Sequence, residues 1–112
     1  MELDRMLGGF EHLLLLTVLR LDERAYGVSI RKEILERAGK DVAIGAIYTA
    51  LDRLGKKGFV ESWLGEPTTE RGGRAKRFYR VTSAGRAALV ETDRAIKNVS
   101  KGLKLAEGGS RA

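Results

Sequence analysis

Gly45-Ala46-Ile47-Tyr48-Thr49-Ala50-Leu51-Asp52-Arg53-Leu54, with Gly58-Phe59-Val60-Glu61 behind it, decides the fold, because it carries a two-faced helix across a glycine into a strand. Ile44, Ile47, Leu51 and Leu54 recur at three- and four-residue steps, the spacing of an apolar helix face. This helix is expected over residues 41–57, stopped by Gly58. Its other face carries Gly45, Ala46, Thr49, Asp52, Arg53, Lys56 and Lys57, with Tyr48 at the border. Two β-type runs follow, Phe59-Val60-Glu61-Ser62-Trp63-Leu64 and Arg77-Phe78-Tyr79-Arg80-Val81-Thr82. Residues 65–76 between them hold Gly65, Pro67, Gly72 and Gly73, so they read as a long hairpin loop.

Working toward the N-terminus, Leu3, Met6, Leu7, Phe10, Leu13, Leu14, Thr17, Val18 and Leu21 again keep helical spacing. Gly8-Gly9 interrupts them, which predicts a firm helix over about residues 10–20 and a looser arm over residues 1–9. A second helix is expected from Gly27 or Val28 to Ala38, burying Ile30, Ile34, Leu35 and Ala38 and ending on a left-handed Gly39. Toward the C-terminus, Thr82 or Ser83 caps a last helix over residues 83–106, and residues 107–112 read as a disordered tail. Three short helices followed by a basic hairpin form a winged helix-turn-helix, a mainly α, α+β fold. In it the third helix enters the major groove and the hairpin follows the backbone.

Charge supports that reading. The chain has 112 residues with 21 Lys+Arg and 15 Asp+Glu, a formal net charge of +6. Residues 1–50 hold 7 basic and 8 acidic side chains, while residues 51–112 hold 14 and 7. Arg71, Arg74, Lys76, Arg77 and Arg80 lie within ten residues that contain no acid. Charge gathered in this way faces a polyanion, although basic side chains also protect a hairpin edge from aggregation. With no Cys and a single His12, thiolate sites, disulfides, His-rich metal sites and a nucleophile–base set are not expected, nor is catalysis. The acidic start, Met1-Glu2-Leu3-Asp4, is unlike a secretory signal, and no apolar run approaches the ~20 residues of a membrane span. The expectation is a cytoplasmic protein without a membrane partner.

These residues resemble PadR-type transcriptional regulators. Tyr26-Gly27 is similar to that family's aromatic-glycine dipeptide, and the stretch from Gly45 to Leu54 resembles its recognition helix. Arg74-Ala75-Lys76-Arg77-Phe78-Tyr79-Arg80-Val81-Thr82, then Gly85, resembles its second wing strand and the entry to its dimerisation helix. The resemblance covers nearly all of residues 10–106. It implies a dimeric repressor of operator DNA, often responsive to a small molecule. The chain departs from the family at Ala43-Ile44, where Ser or Thr and then Pro are common, leaving Asp41 or the bare backbone to cap the third helix.

The expected DNA-contacting residues are Gly45, Ala46, Tyr48, Thr49, Arg53, Lys56, Arg71, Arg74, Lys76 and Arg77. Gly45 and Ala46 let the helix N-terminus approach a phosphate. Thr49 and Arg53 can read bases. Arg74 suits a narrow minor groove. By itself Tyr48 also fits a core aromatic at helical spacing. Leu89, Ile96 and Leu103 are seven apart, and Thr92, Val99 and Ala106 fill the alternate seam positions, a coiled-coil spacing that suits a dimer seam supplemented by Leu3, Met6 and Leu7. The same stripe could pack back on its own domain. Trp63 is expected to cover the core. The expected partners are inverted-repeat duplex DNA and a second copy, with no cofactor and no residue assignable to an effector. The competing reading is a winged helix that binds protein or RNA.

Overall fold

The computed structural model describes residues 6–66 and 75–105. Leu3, Arg71, Arg74, Ala106 and the tail over residues 107–112 lie outside them. The order is α1 (Gly9–Leu21), a 3-10 turn (Asp22–Arg24), α2 (Gly27–Ala38), α3 (Ile44–Lys56), β1 (Val60–Leu64), β2 (Arg77–Val81) and α4 (Ser83–Ser100). This is the α+β winged helix-turn-helix that the sequence predicts.

The core lies between α1, α2 and α3, where Leu14, Leu15, Ile30, Ile34, Ile47, Leu51 and Leu54 are fully buried. All but Leu15 keep the helical spacing seen in the sequence; on α1 the buried stripe takes in Leu15 and leaves Phe10 and Leu13 half-buried. The start of α2 is fixed by Ser29, whose Oγ accepts from the Tyr26 N–H at 2.9 Å and donates to the Arg24 carbonyl at 2.6 Å. Its end is Gly39, at φ +68°, whose N–H reaches the Leu35 carbonyl. Leu35 and Ala38, expected in the core, are exposed, because α1 and α3 cover only the stripe of Ile30 and Ile34.

The wing pairs β1 and β2 antiparallel, with Val60 opposite Val81, Ser62 opposite Tyr79 and Leu64 opposite Arg77. A third, very short partner was not visible in the sequence. The Tyr79 N–H donates to the Ala25 carbonyl at 2.9 Å, and Tyr26 bridges Phe78. The segment before α2 is thus sewn to the outer edge of the hairpin. Trp63 does not cover the core as expected. It lies on the hairpin face turned away from α3, stacked on Phe78 at 6.0 Å with Arg80 above it at 5.3 Å. Alternation along β1 decides this: the core side takes Val60, and Trp63, an odd number of positions along, falls on the other side.

At the foot of the wing, the Thr82 Oγ accepts from the Gly85 N–H at 3.0 Å and donates to the Gly58 carbonyl at 2.7 Å. One hydroxyl therefore caps α4 and ties it to the turn that ends α3. The helix stops at Ser100, and Gly102 follows at φ +82°. It is shorter than the expected 83–106, and Leu103 lies beyond its end.

Candidate nucleic-acid interface

The helix expected over residues 41–57 starts at Ile44, capped only by the backbone of Ala43. Asp41 does not cap it; its carboxylate is held by Arg31 at 2.9 Å. Bare N–H groups at an uncapped, small-residue first turn suit an approaching anion. Gly45, Ala46, Tyr48, Thr49, Asp52, Arg53 and Lys56 are all exposed along one face of α3, opposite the buried Ile47, Ala50, Leu51 and Leu54.

Tyr48 is neither a core aromatic nor free of the core. Its side chain is 44% exposed, yet its phenol end lies against Gly27 at the start of α2. The glycine of the Tyr26-Gly27 dipeptide makes that approach possible.

Between α3 and the wing runs a groove of about 440 Å³, lined by Tyr48, Asp52, Lys56, Ser62, Arg77 and Tyr79 among others. Strand alternation places Ser62, Tyr79 and Arg77 on this side of the hairpin. The Arg77 guanidinium donates to the Ser62 Oγ at 3.0 Å, which holds it beside the outer face of α3. Burial, and then the neighbouring Tyr48, push the Tyr79 phenol above its ordinary value of 10.0. Asp52 puts a carboxylate into this groove, paired with Lys56 at 3.3 Å. Lys76 and Arg80 belong to the opposite side. Lys76 lies 5.3 Å from the Tyr26 ring centre, and Arg80 forks onto the Glu61 carboxylate at 2.7 and 2.9 Å. The basic run of the wing is therefore split by alternation, with Arg77 facing α3.

Glu11 escaped the sequence reading. It is buried on α1, and its carboxylate accepts from the Lys57 ammonium at 3.0 Å, with the Arg53 guanidinium 3.9 Å away. The signal was present: Glu11 sits in the apolar series Leu7, Leu14 and Val18, where a helical stripe calls for a hydrophobe. Lys57, read as part of the outer face, is turned to this carboxylate instead.

The expected dimer residues separate into two groups. Leu89 and Thr92 are 6% and 0% exposed inside their own protomer, and Leu7, also buried, donates its N–H to the Thr92 Oγ at 3.2 Å. None of the three is available to a partner, because the first half of α4 packs on α1. Met6 is half-buried. Ile96 and Val99, on the second half of α4, are 50% and 81% exposed, and Leu103 is exposed past the helix end.

Among the described residues, no group of His, Cys, Asp and Glu could hold a metal ion, and no helix is long and apolar enough to cross a membrane.

Comparison with known proteins agrees with this fold. The family model described as the transcriptional regulator PadR-like family matches residues 15–91. A transcriptional regulator of Mycobacterium tuberculosis is 38% identical over 80 residues, which cover 71% of this chain and 70% of the relative. Among solved structures, a PadR-like transcription factor from Bacteroides fragilis superposes with a TM-score of 0.71 at 23% identity over 89% of each chain, a likeness of fold. A PadR family transcription regulator from Clostridium difficile gives a TM-score of 0.65 at 27% identity, covering 82% of this chain and 95% of that one.

Proposed function

The chain belongs to the PadR-like family of transcriptional regulators, and we propose that it acts as a homodimeric repressor whose α3 reads the major groove of an inverted-repeat operator. One observation carries this reading: the Tyr48, Asp52 and Lys56 edge of the exposed face of α3 and the Arg77 side of the wing border a single groove. A duplex lying across that groove and the rest of the exposed face meets small residues, hydroxyls and basic side chains in turn. Gly45 and Ala46 admit a phosphate to the helix N-terminus. Tyr48, Lys56 and Arg77 hold the backbone and set the register, while Thr49 and Arg53 address base edges. Arg71 and Arg74, in the loop between β1 and β2, extend the contact along the backbone or into the minor groove, while Lys76, over the Tyr26 ring on the other side, is left out of it.

Ile96 and Val99 leave an apolar patch at the far end of α4, and Leu16 and Val90 add exposed apolar surface on α1 and α4. A second copy would cover these side chains and place two copies of α3 about a two-fold axis. Half-sites then fall ~10 bp apart or a multiple of it.

Selection from a pool of randomised duplexes tests the proposal. The expected product is an inverted repeat, with binding to it reduced in Arg53→Ala by roughly 1–3 kcal/mol and binding to random duplex reduced much less. Recovery of no common sequence, or of a preference for RNA, would instead support an interaction module.

A further inference from the structure

The buried carboxylate of Glu11 has no place in contact with DNA, yet it faces the side chain expected to read bases. It lies on α1, 42 residues from Arg53 in sequence, and only 11% of its side chain is exposed, against 55% of Arg53. We infer that Glu11 is a specificity-determining positioning residue, holding Arg53 ready at the C-terminal half of α3 and competing with DNA for it. This inference rests on the reading of α3 as the recognition helix.

The geometry divides the work between two cations. Lys57 is the firm partner of Glu11, at 3.0 and 3.4 Å to its two oxygens. Arg53 is the loose one, at 3.9 Å and with a single contact. When Arg53 swings out to DNA, Lys57 stays, so the buried carboxylate is never left uncompensated, a state that would be strongly unfavourable. Leaving Glu11 is still opposed by its charge. A base edge that accepts two hydrogen bonds from the guanidinium offsets that loss. A lone phosphate offers Arg53 a point charge of the same sign that Glu11 already supplies. Arg53 therefore leaves Glu11 on the cognate duplex and stays with it on random duplex, so the cost of separating the pair falls on cognate binding more than on random binding.

Four proteins test this: the parent, Glu11→Gln, Arg53→Ala and the double variant. Each is measured against the duplex selected by the parent and against random duplex of equal length, at one salt concentration. Glu11→Gln is expected to tighten cognate binding of the dimer roughly 3- to 10-fold by releasing Arg53, and to tighten random binding less. The cognate-to-random ratio widens. In the Arg53→Ala background the same change leaves that ratio where Arg53→Ala put it. An unchanged ratio in Glu11→Gln, or an equal widening in both backgrounds, overturns the inference while Arg53→Ala still reports base reading. If Arg53→Ala itself leaves cognate binding intact, the recognition-helix reading fails first, and the role of Glu11 with it. Should Glu11→Gln show no cooperative melt, Glu11→Asp withdraws the carboxylate from Arg53 by one methylene and keeps the charge; an unchanged ratio there overturns the inference equally.

Discussion

The phenol of Tyr48 lies against the backbone of Gly27, so closely that a Cβ on Gly27 would overlap its hydroxyl and Cζ atoms. A residue of the proposed recognition helix is thus held in place by the first turn of the helix before it. Gly27→Ala is expected to push the ring aside. The obstacle is the free end of a side chain, and Ala is favoured over Gly within a helix by roughly 0.5–1 kcal/mol. Thermal melts should therefore change little while operator affinity falls several-fold. Equal affinity in the variant would mean that the ring position does not matter to DNA.

Gly85 makes the opposite case. A Cβ there would overlap the Phe59 carbonyl oxygen, a backbone atom that also accepts from the Thr82 N–H. It cannot move without opening the junction between wing and α4. Gly85→Ala should lose on the order of 2–4 kcal/mol of stability, within the range of strained core changes. Denaturant titration checks this, and a loss below ~1 kcal/mol would show that the junction yields.

Ile96 is half-exposed in the protomer, so a lysine there meets water and not a core. Ile96→Lys should leave the protomer's stability within about 0.5 kcal/mol, as surface changes do. In a dimer whose seam includes it, the same charge is buried without a partner and the pair separates. Sedimentation should then find monomers with an unaltered protomer melt. A persistent dimer would remove this end of α4 from the interface.

Arg77 stands beside α3 with one guanidinium nitrogen on the Ser62 Oγ, and the guanidinium keeps further donors for phosphate. For a dimer neutralising roughly six to eight phosphates, log affinity should fall against log salt with a slope of about −5 to −7. Arg77→Gln removes two cations per dimer and should lessen the slope by about 2, on cognate and random duplex alike. Arg80→Gln, on the far side and paired with Glu61, should leave it unchanged. Equal slopes in parent and Arg77→Gln would take the wing off the backbone.

The helices, the hairpin and the outer face of α3 were legible in the amino-acid sequence because each is written in neighbouring residues. Ile47, Leu51 and Leu54 mark the buried side of α3 by spacing alone, and Gly39 and Thr82 mark helix ends by backbone and hydroxyl chemistry. What joins distant segments was not written that way. A seven-residue repeat through Leu89 and Ile96 fits a seam with a second chain or a seat on the same chain. Only the packing of α1 against α4, with the Leu7 N–H on the Thr92 hydroxyl 85 positions away, decided that Leu89 lies inside and Ile96 outside. The same holds for the strand alternation that separates Arg77 from Lys76 and Arg80, and for the hand of Glu11 on Arg53. Periodicity tells which face of an element is apolar; which neighbour meets that face depends on the whole chain closing around one core.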